Sequence, residues 1–132
     1  MKILFLYPNH KGNYMLPPGI GILSACVKRA GHVVDLFDTT QYASFDLDRR
    51  PEVDVAKSQS DRLMTKPFDD INKIEPNYGD IFSDWLDKVN DFKPDLIALS
   101  ATEDLWLPGM ALLRCIKDKN ILTLAGGVFT TF

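Results

Sequence analysis

KILFLY, residues 2–7, is a continuous apolar run from Lys2 to Tyr7 that stops at Pro8-Asn9, the pattern of a strand buried on both faces of a sheet. HVVDLFD (32–38), DLIALS (95–100) and ILTLA (121–125) supply three more runs of strand type. Between the first two, Pro17-Pro18 opens a segment whose apolar positions Ile20, Leu23, Ala25, Val27 and Ala30 fit a helix, with Gly31 as its C-cap. Proline suits a first helical turn because the N–H it lacks would have no partner there, and glycine suits the end because it adopts the left-handed conformation that closes a helix. Residues 80–92 read as an amphipathic helix with Ile81, Trp85, Val89 and Phe92 on one face, ended by Lys93-Pro94. A last helix is expected from about 107 to 118, carrying Met110, Leu113 and Ile116 on one stripe. Strands alternating with helices predict an α/β fold with a parallel sheet and right-handed crossovers, and the expected fold is a doubly wound sheet of flavodoxin-like (Rossmann-like) type with the strand order taken as 2-1-3-4.

The stretch from Thr39 to Gly79 breaks this alternation. It is polar and punctuated by Arg49-Arg50-Pro51, Lys66-Pro67 and Glu75-Pro76, and it reads as an insertion at about 41–79 with one short helix around Val53 to Met64. The chain of 132 residues otherwise reads as one domain.

Fifteen Lys and Arg against 18 Asp and Glu leave a net charge of −3 without a basic cluster. Non-specific nucleic-acid affinity comes from clustered cations, so no nucleic-acid partner is expected. No apolar run approaches the ~18 residues of a membrane span, and the start of the chain lacks the cleavage site of a secretory signal, which places the protein in the cytoplasm. Cys26 and Cys115 stand 89 positions apart in helical segments. They form no metal pair and are expected to be small core residues.

In a doubly wound sheet, ligands bind beyond the carboxyl ends of the strands where the strand order reverses. Order 2-1-3-4 puts that point between the first and third strands, where the loops Pro8 to Pro18, Ala101 to Trp106 and Gly126 to Thr131 meet. A phosphoacceptor receiver needs an acidic pair after the first strand and an aspartate ending the third, but those places hold Tyr7-Pro8-Asn9 and Ser100. A flavodoxin phosphate loop is absent as well. Gly19-x-Gly21-x-x-Ser24 has a dinucleotide-like spacing, yet it begins a dozen residues beyond the strand behind two prolines, whereas a pyrophosphate site needs a tight strand-to-helix turn. Gly126-Gly127 reads either as an ordinary strand-ending turn or as a place where a flat ligand meets bare backbone. Ser100 reads either as a local backbone partner or as a hydrogen-bonding group lining the crevice.

The runs ILFLYP (3–8), PPGIGIL (17–23), GHVVDL (31–36), KPDLIALS (93–100) and LAGGVFTT (124–131) together resemble the N-terminal cobalamin-binding domain of cobalamin-dependent radical SAM enzymes. The resemblance covers nearly the whole chain outside the insertion. It implies a cobalamin-binding fold in which the nucleotide tail of cobalamin enters the crevice between the first and third strands. Pro18, Gly19 and Gly21 would border the tail at the first helix, Ser100 and Thr102 would hydrogen-bond near its benzimidazole, and Gly126, Gly127 and Thr130 would complete the ring's pocket. On that reading a bulky residue at Gly127 is expected to fill the pocket and leave the fold intact.

The chain departs from related families in two places. Corrinoid carriers and mutases place a cobalt-ligating histidine in a DxHxxG motif, and the slot three residues before Gly19 holds Leu16. The resemblance therefore implies base-off cobalamin with no protein histidine ligand, and His10 is expected to be a solvated loop residue. The CxxxCxxC motif is also absent, and the chain ends at Phe132 before the fifth strand usual in such domains. The expectation is an N-terminal fragment of a longer radical SAM protein, a methyltransferase, whose partner domain at the C-terminal side would hold S-adenosylmethionine and the 4Fe–4S cluster. Alone, this chain would bind cofactor without catalysing a reaction. A sheet lacking its last strand is also expected to self-associate through the exposed edge. Two other readings stay open on the residues: a cobalamin-free domain of the same ancestry that docks structurally, and a flavodoxin-like nucleotide binder.

Overall fold

The computed structural model describes residues 1–10, 17–43, 75 and 77–127. Among them the elements are β1 (Lys2–Tyr7), α1 (Pro18–Arg29), β2 (Val33–Asp38), α2 (Ile81–Phe92), β3 (Leu96–Ser100), α3 (Glu103–Arg114), a short 3₁₀ turn at Lys117–Lys119 and β4 (Leu122–Gly126). The four strands form one parallel sheet in the expected order β2-β1-β3-β4. The expected helix at Val53 to Met64 lies outside the described residues.

Strand alternation divides the sheet into two faces. On one, Leu4, Leu6, Phe37, Ile97 and Leu99 pack with Ile81, Trp85 and Val89 of α2 and Leu105 and Leu112 of α3, forming the main core. On the other, Ile3 and Phe5 pack with Ile20 of α1, flanked by Val27, Val34, Leu96 and Ala98. β1, at the centre, is buried from Ile3 to Leu6 as its unbroken apolar run required.

Local signals explain the helices' ends. The Asp80 side chain accepts a hydrogen bond from the Phe82 N–H at 3.0 Å, capping α2, and Lys93 closes that helix in the left-handed conformation, φ 52°. Ile81, Trp85 and Val89 are buried as their spacing predicted. Gly31 follows α1 with φ +85°, as expected of its C-terminal glycine. α3 begins four residues earlier than the apolar stripe indicated, with Thr102 in the N-cap position, Glu103 and Asp104 in the first turn, and Pro108 accommodated inside the helix.

The cysteines correct an expectation, for both are exposed. Cys26 lies on the outward side of α1, about 240° around the axis from its one buried residue, Ile20. Cys115 follows the last turn of α3, its Sγ 3.3 Å from the Ala111 carbonyl.

The margins of the insertion are tied to the domain. Tyr42 and Asn77 form a parallel bridge, and the Tyr42 hydroxyl donates to Asp84 Oδ2 at 2.8 Å. Burial, with the Asp84 carboxylate beside it, pushes the Tyr42 phenol from 10.0 up to about 12. A phenol with a raised folded pKa stabilises the fold fully below its unfolded value and loses that contribution as pH rises through the folded one. Stability is therefore expected to fall between about pH 10 and 12, and Tyr42→Phe should flatten this part of the curve. Urea midpoints measured across that range test it.

Candidate functional site

Parallel strands expose their carboxyl ends together, so the ends of β1, β3 and β4 and the described residues that follow them, 8–10, 101–102 and 127, lie on one rim. After β1, Asn9 is wholly buried and ties this rim to the end of β2. Its N–H donates to Thr39 Oγ1 at 2.7 Å, the Thr39 hydroxyl donates back to the Asn9 carbonyl at 2.9 Å, and Asn9 Nδ2 donates to Thr40 Oγ1 at 2.9 Å. The Thr40 hydroxyl in turn donates to Asp38 Oδ1. A buried amide needs such partners, and the network gives the β1 loop a fixed starting point. Beside it, burial first and the Asp38 carboxylate second push the Tyr7 phenol upward.

Ser100 stands at the end of β3 in register with Gly126 of β4, and the Ala101 N–H donates to the Gly126 carbonyl at 3.3 Å. By alternation Ser100 and Gly126 share the α1 face with Ala98 and Leu124. A Cβ built on Gly126 would meet only the Leu99 carbonyl oxygen, at 4.0 Å. The floor of this face is thus made of small residues at the level of the rim. Leu122 and Leu124 remain 67% and 59% exposed on it, because α1 packs through Ile20 on β1 and its neighbours and leaves β4 uncovered.

The glycines of α1 are separated by the helix itself. Gly19 and Gly21 are two positions apart, about 200° around the axis, and flank the buried Ile20 on opposite sides. A Cβ at either would meet nothing within 4 Å. One of them can therefore border the open half of the sheet while the other faces away from it. Pro18, in the first turn, is exposed.

Gly127 differs from its neighbour. Its φ is +115°, and a Cβ there would lie 2.5 Å from the Ala101 carbonyl oxygen and 3.3 Å from the Ala101 nitrogen. The second glycine is required by the chain's own backbone, so a bulky residue at 127 would disturb the fold, contrary to the sequence expectation. Thr130 and Leu16 lie outside the described residues.

Two residues have partners that the sequence did not reveal. The Thr102 hydroxyl donates to Asp104 Oδ1, and the other oxygen of that carboxylate is 3.5 Å from His10 Nε2. His10, its side chain 33% exposed, thus faces the first turn of α3, a partner that the expectation of a solvated loop residue did not include. A threonine followed by two acidic residues is a helix-start signal and could have located Asp104; the pairing with His10 spans 94 positions and leaves no local trace. His32 sits at the opposite end of the sheet, its Nδ1 3.3 Å from the N-terminal amine of Met1.

No family model matches the chain, and no curated protein or solved structure is significantly similar to it. Among the described residues, no group of three or more His, Cys, Asp or Glu side chains could hold a metal ion, and no helix is long and apolar enough to cross a membrane.

Proposed function

We propose that this chain binds cobalamin, base-off, as the cofactor domain of a radical SAM enzyme. The observation that carries the reading is the small-residue floor between β3 and β4, on the β3 side of the switch point: Ser100 in register with Gly126, Ala98 on the same face, and no helix among the described residues over β4 on that face. An elongated, flat-ended tail needs such a gap between sheet and helix, and the resemblance of the sequence motifs points to the same place. Ser100 would hydrogen-bond the tail, Gly126 would leave room for its ring, and one flank of α1 at Gly19 or Gly21 would form the wall. When bound, the corrinoid would supply methyl-transfer chemistry, while this chain's residues bind and orient it. The S-adenosylmethionine and cluster chemistry would belong to a partner domain.

The places of the histidines support the absence of a protein ligand to cobalt. His32 stands beside Met1 at the far end of the strands, and His10 faces Asp104. In this proposal neither ligates cobalt.

Incubation with hydroxocobalamin followed by desalting is expected to leave a coloured protein with a base-off spectrum. Gly126→Leu should abolish the colour and retain the far-ultraviolet circular dichroism, because the added side chain projects over the open floor. A colourless wild-type protein overturns the proposal. It would favour a cobalamin-free docking domain, a reading supported by the exposed Ile22 and Leu23 of α1.

A further inference from the structure

The two edges of the sheet are built differently. β2 carries Asp35 and Asp38, with Asp35 ion-paired to Lys88 of α2, and charges of this kind discourage edge-to-edge pairing. β4 reads LTLAG, with neither a charge nor a proline, and no strand among the described residues pairs with its outer side. Both faces beside it are apolar. Leu122 and Leu124 project on the α1 face, and on the other a groove of about 270 Å³ runs between α3 and β4, lined by Met110, Leu113, Ile116, Ile121 and Thr123 and bordered by Arg114 and Lys117.

We infer that a second copy of this chain covers this edge, pairing β4 antiparallel with its own equivalent about a two-fold axis normal to the sheet. Charge complementarity favours this occupant. α3 carries Glu103 in its first turn, at the carboxyl ends of the strands, and Arg114 in its last, with Lys117 beside it at the border of the groove; Asp104 is turned to His10, Lys119 to Asn90 of α2, and Asp118 lies between the two lysines. A two-fold axis through the β4 pair keeps both α3 helices on one side of the joined sheet and reverses one relative to the other. The acidic end of each then lies beside the basic end of its partner, and the two apolar grooves face each other. The contact is isologous and closes at two copies, giving an eight-stranded sheet. The inference does not depend on cobalamin.

Sedimentation equilibrium from micromolar to millimolar concentration tests it. A monomer–dimer equilibrium without larger species is expected, weakening with salt. Leu124→Glu, at a side chain already exposed, should raise the dissociation constant by at least about tenfold, with circular dichroism confirming the fold. Arg114→Glu should weaken association, and Glu103→Arg combined with Arg114→Glu should restore it, because the exchanged charges again face one another. A strictly monomeric wild-type protein, open-ended polymers, or association indifferent to Leu124→Glu would overturn the inference. Failure of the double exchange to restore dimers would overturn the antiparallel arrangement.

Discussion

Trp85→Ala is expected to cost about 4 kcal/mol of stability, the range found when a large buried aromatic is truncated. Trp85 has no exposure and joins α2 to the rest of the main core in two ways. Its ring lies 5.1 Å from that of Phe37 on β2, and its Nε1 donates to the Leu112 carbonyl of α3 at 2.9 Å. Truncation would leave a cavity where two helices meet the sheet, and domains of this size have only about 5–15 kcal/mol of net stability. Trp85→Phe should cost less, since a ring remains to pack against Phe37 and the lost hydrogen bond is worth about 1 kcal/mol. Urea denaturation followed by circular dichroism would measure both. A loss below that of Trp85→Phe in the alanine variant would contradict the placement of Trp85 at the centre of the core.

Gly127→Val is expected to destabilise the fold by about 3 kcal/mol, combining a positive φ that a β-branched residue rarely adopts with a collision against backbone. A Cβ 2.5 Å from the Ala101 carbonyl oxygen cannot be relieved by a rotamer change; either the β3–α3 connection or the end of β4 must move. Gly126→Ala makes the matched control. Its Cβ would meet the Leu99 oxygen at 4.0 Å, ordinary contact, and its stability should stay within about 0.5 kcal/mol of wild type. Equal denaturation midpoints for the two variants would contradict the close approach at Ala101. The pair also separates two roles of the double glycine, since Gly127 serves the fold and Gly126 borders the proposed ligand floor.

Much of the architecture was legible in short stretches. A strand buried on both faces must be apolar throughout, as KILFLY is from Ile3 onward, and a half-buried helix must repeat its apolar residues every three or four positions, as Ile81, Trp85 and Val89 do. Gly31 marked a helix end through chemistry confined to a single turn, whereas the capping role of Asp80 emerged only in the structure. Parallel strands joined by right-handed helical crossovers have few arrangements, and the order 2-1-3-4 supposed from among them is the one the structure has.

The candidate site was legible only in outline. Ser100 and Gly126 could be assigned to one rim because both end strands, but whether each glycine faces a ligand, solvent or backbone depends on what is packed beside it. Gly19 and Gly21 look equivalent in sequence and lie on opposite flanks of α1, while Gly126 and Gly127 are adjacent in sequence and differ in clearance by 1.5 Å.

The elements and their succession along the chain were written in the amino-acid sequence, because they depend on periodicity and turn chemistry over a few residues. The packing of the elements set the rest: Cys26 and Cys115 are exposed, the residues of β4 from Leu122 to Ala125 are exposed, Asn9 is held by Thr39 and Thr40, and His10 faces Asp104. Each of these depends on how much surface one helix can cover, or on groups 30 to 94 positions apart. Such neighbours are brought together by burial of the core and not by any local preference of the chain.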